Sequence, residues 1–386
     1  MDLIYLDNSA TTRPFDEVIG KMASCMRDAY FNPSAAYAQA LHLEKEVASV
    51  RRMLLQCTHA TEGTVVFTSG GTEGDNLAIR GTLARVHGAC NVVVSPLEHP
   101  AVTRTLQDLE GPQCEIRWMK VDGEGRINLA HLESLLDAQT ALVICMHVSN
   151  ETGTIQPLRE LSALVRTLAP GARILVDGVQ GFLHVPFSLT EDGIDFYTVS
   201  AHKVHGPKGT GALVMAKGIS PVPQLTGGGQ EGGLRSGTVD APSLLGFGCA
   251  MARLREIPAH ARALREMKLR LWEQLRETPG IRVNGPDPAD PEKSAPHILS
   301  LRFDGVRGEV MRNALEGEGI LSSTGSACSS HRQKVSPVLT AMGLDREAAD
   351  GTVRISLGAL NTPDEMDIAA RSILRCYGML RRYRRR

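Results

Sequence analysis

The fold is indicated most directly by one stretch in the middle of the chain, Ile174-Leu175-Val176-Asp177-Gly178-Val179-Gln180. A short apolar run, typical of a buried strand, ends there in polar residues. Similar β-rich runs recur between about residues 64 and 215, and longer amphipathic stretches separate them. This alternation predicts an α/β sheet with crossover helices.

The predicted strands all end in polar residues. They cover residues 64–68, 91–94, 141–146, 173–176, 196–199 and 211–215. Open α/β sheets bind ligands outside the carboxyl ends of their strands, so the polar ends are expected to converge on one crevice. We therefore predict a functional site at that edge of the sheet.

The composition changes in the last third of the chain. A glycine-rich passage at 227–237 leads into a charged helical pattern over about 250–277, and the Pro-rich segment 285–291 is interpreted as a loop. We predict a large α/β domain over residues 13–250 and a smaller α+β domain formed by residues 1–12 and 251–386.

The overall charge argues against a general attraction to nucleic acid or to an anionic membrane. The 386 residues include 42 Lys+Arg and 43 Asp+Glu, a net charge of -1. No stretch approaches the ~18 apolar residues of a spanning helix, and the first residues lack the features of a signal peptide. A soluble cytoplasmic protein is expected. The basic end, Arg381–Arg386, is interpreted as a solvated terminus or as a docking tail for RNA or an acidic partner.

The eight cysteines stand singly along the chain. None forms a Cys-x-x-Cys pair, and the familiar zinc-ligand spacings are missing, so no metal site is expected. Most of the thiols are predicted to be buried and reduced. Cys328 differs because small residues and serines surround it, which predicts an accessible loop. The residues alone leave open whether Cys328 is a nucleophile or a structural thiol.

Two residues at predicted strand ends suit a pyridoxal-phosphate site. Lys203, in Ser200-Ala201-His202-Lys203-Val204-His205-Gly206-Pro207, could form a Schiff base through its amine, although a lysine after a strand is usually a surface residue. Asp177 could keep the ring nitrogen of the cofactor protonated. Gln180 could then bond to the ring hydroxyl.

A phosphate site is predicted where a strand joins a helix, in Ser69-Gly70-Gly71-Thr72-Glu73-Gly74-Asp75-Asn76. Helix N-termini bind anions, and the glycines allow close approach of the backbone. Thr72, Ser200 and His202 could add hydrogen bonds. A simple helix cap and turn is the alternative. His99 also follows a strand and could stack on the cofactor ring or serve a structural role.

In this order, the residues resemble the class V aminotransferase family and, within it, the NifS/IscS-like cysteine desulfurases. The resemblance covers almost the whole chain. It begins at 5–12, passes through the motifs above and through 147–153 and 235–238, and ends at 325–328 and 353–358. It implies the fold of type I pyridoxal-phosphate transferases, with a large α/β domain, a mainly parallel central sheet and a smaller α+β domain.

The resemblance also implies a role for each matched residue. Lys203 would bind pyridoxal 5'-phosphate, Asp177 would pair with its ring nitrogen, and His99 would stack above the ring. The remaining cofactor residues would be Gln180 and Asn150 beside the ring, Gly71, Thr72, Ser200 and His202 at the phosphate, and Thr238 at the phosphate of the neighbouring subunit. A homodimer follows from the role of Thr238.

The reaction implied by the resemblance is the removal of sulfur from L-cysteine. Arg354 would bind the substrate carboxylate through its planar fork. Lys203, with help from His99, would move protons at the substrate α-carbon. Cys328 would take the sulfur as a persulfide and leave L-alanine. The persulfide would pass to a sulfur acceptor, such as an iron–sulfur scaffold or a tRNA thiolation enzyme, and no residue decides between them.

Three other functions would share parts of this pattern. The segment 227–232 formally fits G-x-G-x-x-G, but it neither follows a first strand nor opens a helix, so a nicotinamide dehydrogenase is rejected. A selenocysteine lyase or another aminotransferase would need Lys203 but no nucleophilic thiol. A non-catalytic scaffold would have no need of Lys203, Asp177 and Cys328 together.

Overall fold

A sheet of seven strands lies at the centre of the fold. The computed structural model describes residues 3–324 and 335–383. In chain order the strands are β1 (Ile4–Tyr5), β2 (Thr64–Thr68), β3 (Cys90–Val94), β4 (Cys114–Trp118), β5 (Thr140–Met146), β6 (Arg173–Asp177), β7 (Phe196–Ser200), β8 (Gly211–Met215), β9 (Ile281–Val283), β10 (Ile298–Phe303), β11 (Ile320–Leu321) and β12 (Thr352–Ser356). The helices are α1 (Asp16–Asp28), α2 (Ala38–Cys57), α3 (Gly71–Leu83), α4 (Pro100–Leu109), α5 (Leu129–Leu135), α6 (Leu158–Leu168), α7 (Ala241–Leu254), α8 (Ile257–Leu275), α9 (Gly308–Gly317), α10 (Pro337–Ala341), α11 (Arg346–Asp350) and α12 (Pro363–Leu380).

The central sheet has the strand order β2-β8-β7-β6-β5-β3-β4. Neighbouring strands from β7 to β4 are parallel, whereas β8 runs antiparallel to both β2 and β7. The predicted α/β sheet with crossover helices is therefore confirmed. Because the parallel strands share one direction, their carboxyl ends meet at one edge of the sheet.

Helices cover both faces of the sheet because successive strand residues point to opposite sides. In β3, Val92 and Val94 belong to the core shared with α3 and α4, whereas Val93 belongs to the core shared with α6. Each fully buried side chain of this size stabilises the fold by about 1.5–3 kcal/mol. The polar strand ends are thereby fixed on a rigid support.

Two elements differ from the sequence prediction. Strand β4 was not predicted, because this edge strand alternates buried and charged side chains and lacks the continuous apolar run of the interior strands. The helical pattern predicted over 250–277 is divided between α7 and α8. The division falls before Pro258, which stands in the first turn of α8, where its missing N–H is tolerated.

A second, antiparallel sheet has the order β12-β10-β9 and packs against α8, α9 and α12 around a core of its own. The start of the chain joins this part, since β1 pairs in parallel with β11, and Ile4 and Leu6 are buried in the same core. Residues 9–12, in contrast, hydrogen-bond to His202 and Lys203 beside the central sheet. The domain boundaries themselves stay a prediction.

Within the described part of the chain, no helix is both long enough and apolar enough to cross a membrane. No group of three or more His, Cys, Asp or Glu side chains in residues 3–324 and 335–383 is arranged to hold a metal ion.

Candidate active site

The Asp7–Thr12 segment runs into the crevice at the carboxyl ends of the central strands. Lys203 follows β7 in a single 3-10 turn, and its amine reaches back to this segment. Its Nζ donates hydrogen bonds to the carbonyl oxygens of Ser9 at 2.6 Å and of Ala10 at 2.9 Å. The amine is thus held at the sheet edge, as the sequence predicted.

Gln180 and Asp177 meet Lys203 at the same place. The Gln180 Nε2 donates to the carbonyl oxygen of Ser9 at 2.9 Å, so Gln180 and Lys203 share one acceptor. Asp177 ends β6, and its Oδ1 accepts from the backbone N–H of Val179 at 2.9 Å. Burial raises the pKa of the Asp177 carboxyl, while the Val179 N–H, His99 and Lys203 oppose the rise. A cationic group beside Asp177 would favour its ionised form.

His99 caps the N-terminus of α4. Its Nδ1 accepts the backbone N–H of Ala101 at 3.1 Å, and Pro100 occupies the first helical position. A neutral ring that accepts at Nδ1 carries its proton on Nε2. Helix α4 therefore fixes both the position and the tautomer of His99.

Two glycines at the start of α3 bring the backbone close to residues at and after the ends of the neighbouring strands. Gly70 has a φ of 150° and precedes the first helical residue, Gly71. A Cβ on Gly71 would lie 2.6 Å from a methyl carbon of Val179, and a Cβ on Gly70 would lie 3.8 Å from the hydroxyl oxygen of Ser200. Thr72 is exposed in the first turn. The helix N-terminus, the glycines and Ser200 together suit an anion.

His202 is held by the Asp7–Thr12 segment and is neutral. Its Nδ1 lies 3.1 Å from the hydroxyl of Thr11, and its carbonyl oxygen accepts from the backbone and the hydroxyl of Thr12, each at 2.9 Å. Burial lowers the pKa of His202 to about 4, and Lys203 and Lys208 add to the decrease. At neutral pH this imidazole can hydrogen-bond to a phosphate without adding a charge.

Arg354 connects β12 of the smaller sheet to the crevice. Arg354 as a whole is 2% exposed. Nη2 pairs with Oδ1 of Asp7 at 2.7 Å, and Nη1 donates to the carbonyl oxygen of Asn150 at 2.8 Å. The structure thus brings Arg354 and Asn150 together. Nε of Arg354 is buried without an acceptor.

Thr238 and Cys328 are less directly connected to the other candidate site residues. Thr238 is exposed in the turn before α7. The adjacent Gly237 lines the same small cavity as Ser69, which places this turn near the start of α3. Cys328 lies outside the described residues, between Ser323, whose backbone bonds to that of Arg354, and Ser336, whose hydroxyl donates to Glu151 at 2.6 Å.

Sequence reasoning missed several residues of the site. The carbonyls of Ser9 and Ala10 carry no side-chain signal, and Asp7 lies 347 residues from Arg354. Glu98 accepts the backbone N–H of Met146 at 2.6 Å, and burial beside Asp177 raises its pKa well above the usual range. Its position next to His99 was the only signal that could have indicated a role.

Pyridoxal 5'-phosphate fits these residues. An amine, a buried acid and a glycine-lined helix N-terminus are the groups that its aldehyde, ring nitrogen and phosphate require. The hydroxyl of Ser9 is buried without a hydrogen-bond partner. Buried polar atoms of this kind are uncommon, and a group bound in the crevice would satisfy this one.

Comparison with known proteins agrees with this site. The model of the class V aminotransferase family matches residues 4–368. A cysteine desulfurase of Trichormus azollae is 37% identical over 372 residues, which are 95% of this chain and 91% of the relative. A cysteine desulfurase IscS of Methanosarcina thermophila is 35% identical over 366 residues, 94% of this chain and 89% of the relative.

A solved structure of a NifS-like protein aligns with a TM-score of 0.88 and 32% identity, and the match covers 98% of this chain and 99% of that one. The predicted resemblance and fold are confirmed. The chain belongs to the class V aminotransferase family, in which it is similar to the NifS/IscS-like cysteine desulfurases.

Proposed function

We propose that the chain is a cysteine desulfurase that depends on pyridoxal 5'-phosphate, converts L-cysteine to L-alanine and carries the released sulfur as a persulfide on Cys328. Relatives named cysteine desulfurase that match 94–95% of the chain support this activity. The observation that carries the proposal is the meeting of Lys203, Gln180 and Asp177 at one sheet edge.

The residues at that edge would hold the cofactor. Lys203 would bind its aldehyde, Asp177 its ring nitrogen, and Gln180, Asn150 and His99 would surround the ring. The phosphate residues would be Gly71, Thr72, Ser200 and His202, with Thr238 contributed from a second copy of the chain. When bound, the cofactor withdraws electrons from the substrate α-carbon.

The chain itself supplies proton transfer and orientation. The Lys203 amine, held by the carbonyls of Ser9 and Ala10, would remove and return the proton at the substrate α-carbon. His99, with its proton on Nε2, would donate a hydrogen bond from the side of α4. Arg354 would bind the substrate carboxylate and so fix which face of the substrate meets Lys203.

Cys328 would accept the sulfur. The thiolate attacks the substrate sulfur, the new S–S bond forms, and the Cβ–S bond breaks with its electron pair kept on carbon. Protonation of that carbon completes L-alanine. Cysteine and the enzyme thiol thus become alanine and an enzyme persulfide, and no external oxidant is needed.

The test is anaerobic turnover of L-cysteine with a thiol reductant, measuring alanine and sulfide together. Equal amounts are expected from the wild type and neither product from Cys328→Ala. Cys57→Ala is the matched control, because burial raises the pKa of the Cys57 thiol to about 11 and makes it a poor nucleophile. Alanine formation that survives in Cys328→Ala would contradict the sulfur-transfer role.

We also propose a cytoplasmic homodimer that passes its persulfide to an iron–sulfur scaffold or a tRNA thiolation enzyme. Residues 329–336 and the basic tail are the proposed docking segments. If the tail docks the acceptor, removal of residues 381–386 should slow persulfide transfer to that protein without changing alanine formation.

A further inference from the structure

The guanidinium of Arg354 is only partly satisfied by its neighbours. Its Nη1 is taken by the carbonyl of Asn150, its Nη2 by Oδ1 of Asp7, and its Nε is buried without an acceptor. Nε–H and Nη2–H point along the same edge of the planar group. That edge binds carboxylates through two parallel hydrogen bonds. Asp7 therefore occupies half of a bidentate carboxylate site.

Arg354 cannot easily leave this position. Its side chain is 3% exposed. Its backbone pairs with Ser300 of β10 on one side and, through two hydrogen bonds of 2.6 and 3.2 Å, with Ser323 on the other. Since Nη1 is also held by Asn150, the guanidinium is a fixed feature of the site.

The Asp7 carboxylate can move more freely. Its side chain is 20% exposed, so water is available to it at the edge of the pair. Its backbone is anchored separately, because its carbonyl oxygen accepts the hydroxyl of Tyr5 at 3.1 Å. The carboxylate can therefore turn toward solvent without removing the Asp7–Thr12 segment from the crevice.

We propose that Asp7 is an internal competitor of the substrate, whose carboxylate occupies Arg354 until a substrate α-carboxylate displaces it. The inference rests on the proposed function, in which Arg354 binds that carboxylate. Two carboxylates on one guanidinium repel each other, so only a ligand that takes both Nε and Nη2 replaces Asp7 well. Amines without a carboxylate cannot do so. Asp7 thereby lowers the affinity for ligands that carry a carboxylate, whereas the binding of amines without one does not depend on it.

The experiment compares Asp7→Asn with the wild type, both as purified protein loaded with cofactor. L-Alanine is titrated while the absorbance of the bound cofactor is followed. Without the competing charge, the dissociation constant for L-alanine is expected to fall on the order of tenfold, or about 1.4 kcal/mol. Ethylamine, which has no carboxylate, is expected to bind equally to both proteins. The KM for L-cysteine should fall by a similar factor.

The control is Asp367→Asn, which removes a carboxylate from a more exposed pair, 2.6 Å apart, between α12 and Arg270 of α8. It should leave L-alanine binding at the wild-type value. Asp7→Ser provides a second charge-free variant. Unchanged or weaker L-alanine binding in a folded Asp7 variant would overturn the proposal. So would failure of both variants to fold, because Asp7 would then be required by the fold and not displaceable.

A failure of the proposed function looks different. In that case the wild type itself would show no absorbance response to L-alanine and no turnover of L-cysteine. The competition at Arg354 is overturned only when the wild type responds and the Asp7 variants do not gain affinity.

Discussion

Single residues in this site are constrained by neighbours that the sequence does not reveal. A Cβ on Gly178 would lie 2.1 Å from the ring carbon Cζ of Tyr197. Tyr197 is completely buried, stacks on Phe187, and its hydroxyl lies 2.9 Å from Nδ1 of His147. The Tyr197 ring therefore leaves no room for a side chain at position 178.

Gly178→Ala is expected to destabilise the protein by about 1–3 kcal/mol, because the added methyl group overpacks a rigid core. Urea unfolding measures the change. Gly20→Ala is the control, since a Cβ on Gly20 of α1 meets nothing within 4 Å, and a helical Gly→Ala change should stabilise slightly. In a double-mutant cycle, Tyr197→Leu should reduce the cost of Gly178→Ala. Additive effects would contradict the steric explanation.

At the scale of elements, strand ends were the most predictable part of the site. Asp177 and Lys203 could be placed near the sheet edge from the sequence, because Asp177 ends a short apolar run and Lys203 comes three residues after another. The pair of Asp7 and Arg354 could not, since the two residues lie on different elements 347 positions apart. Local patterns fix where one strand stops, whereas packing of the two sheets decides which residues meet across the crevice.

Helix α12 packs against the smaller sheet that carries Arg354. A capping box stabilises the N-terminus of this helix. The Thr362 hydroxyl accepts the backbone N–H of Glu365, and the Glu365 carboxylate accepts the backbone N–H of Thr362 at 2.9 Å. Thr362→Ala is expected to cost about 1 kcal/mol of unfolding free energy. Thr167→Ala, at an exposed position of α6, is the control and should change stability by less than about 0.5 kcal/mol. Equal effects of the two substitutions would argue against the cap.

At the scale of the whole molecule, a cluster of buried histidines joins the central sheet region to the smaller one. His184 stacks on His297 with ring centroids 3.9 Å apart, and the His260 ring lies 5.5 Å from that of His184. Burial lowers the pKa of His260 to about 4, and it also lowers the pKa values of His184 and His297 well below the usual range. Each ring is therefore neutral in the folded protein at pH 7.

Acid should destabilise the fold through these histidines. An unfolded histidine takes up a proton near pH 6.5, whereas folded His260 does so near pH 4. The contribution of neutral His260 to the free energy of unfolding is therefore fully present above pH 6.5 and is lost as the pH falls toward 4. Asp75 and Glu98, whose carboxyl pKa values burial raises, act in the opposite direction. The contribution of one histidine must therefore be measured as a difference between variants.

The stability of His260→Gln relative to wild type should increase by about 1.4 kcal/mol between pH 7.5 and 5.5, as expected for one linked proton. Urea unfolding at both pH values provides the measurement. His87→Gln on the surface is the control variant. A pH-independent difference for His260→Gln would show that its imidazole is not held neutral by the fold.

The contacts of the Asp7–Thr12 segment also bear on biosynthesis. A ribosome makes this segment before its partners Lys203, Arg354 and Ser356, the last of which emerges 348 residues after Asn8. The nascent chain must therefore keep this segment without those partners while the residues between them are made. The catalytic crevice closes only when the β12 strand has left the exit tunnel, so a truncated nascent chain cannot assemble it.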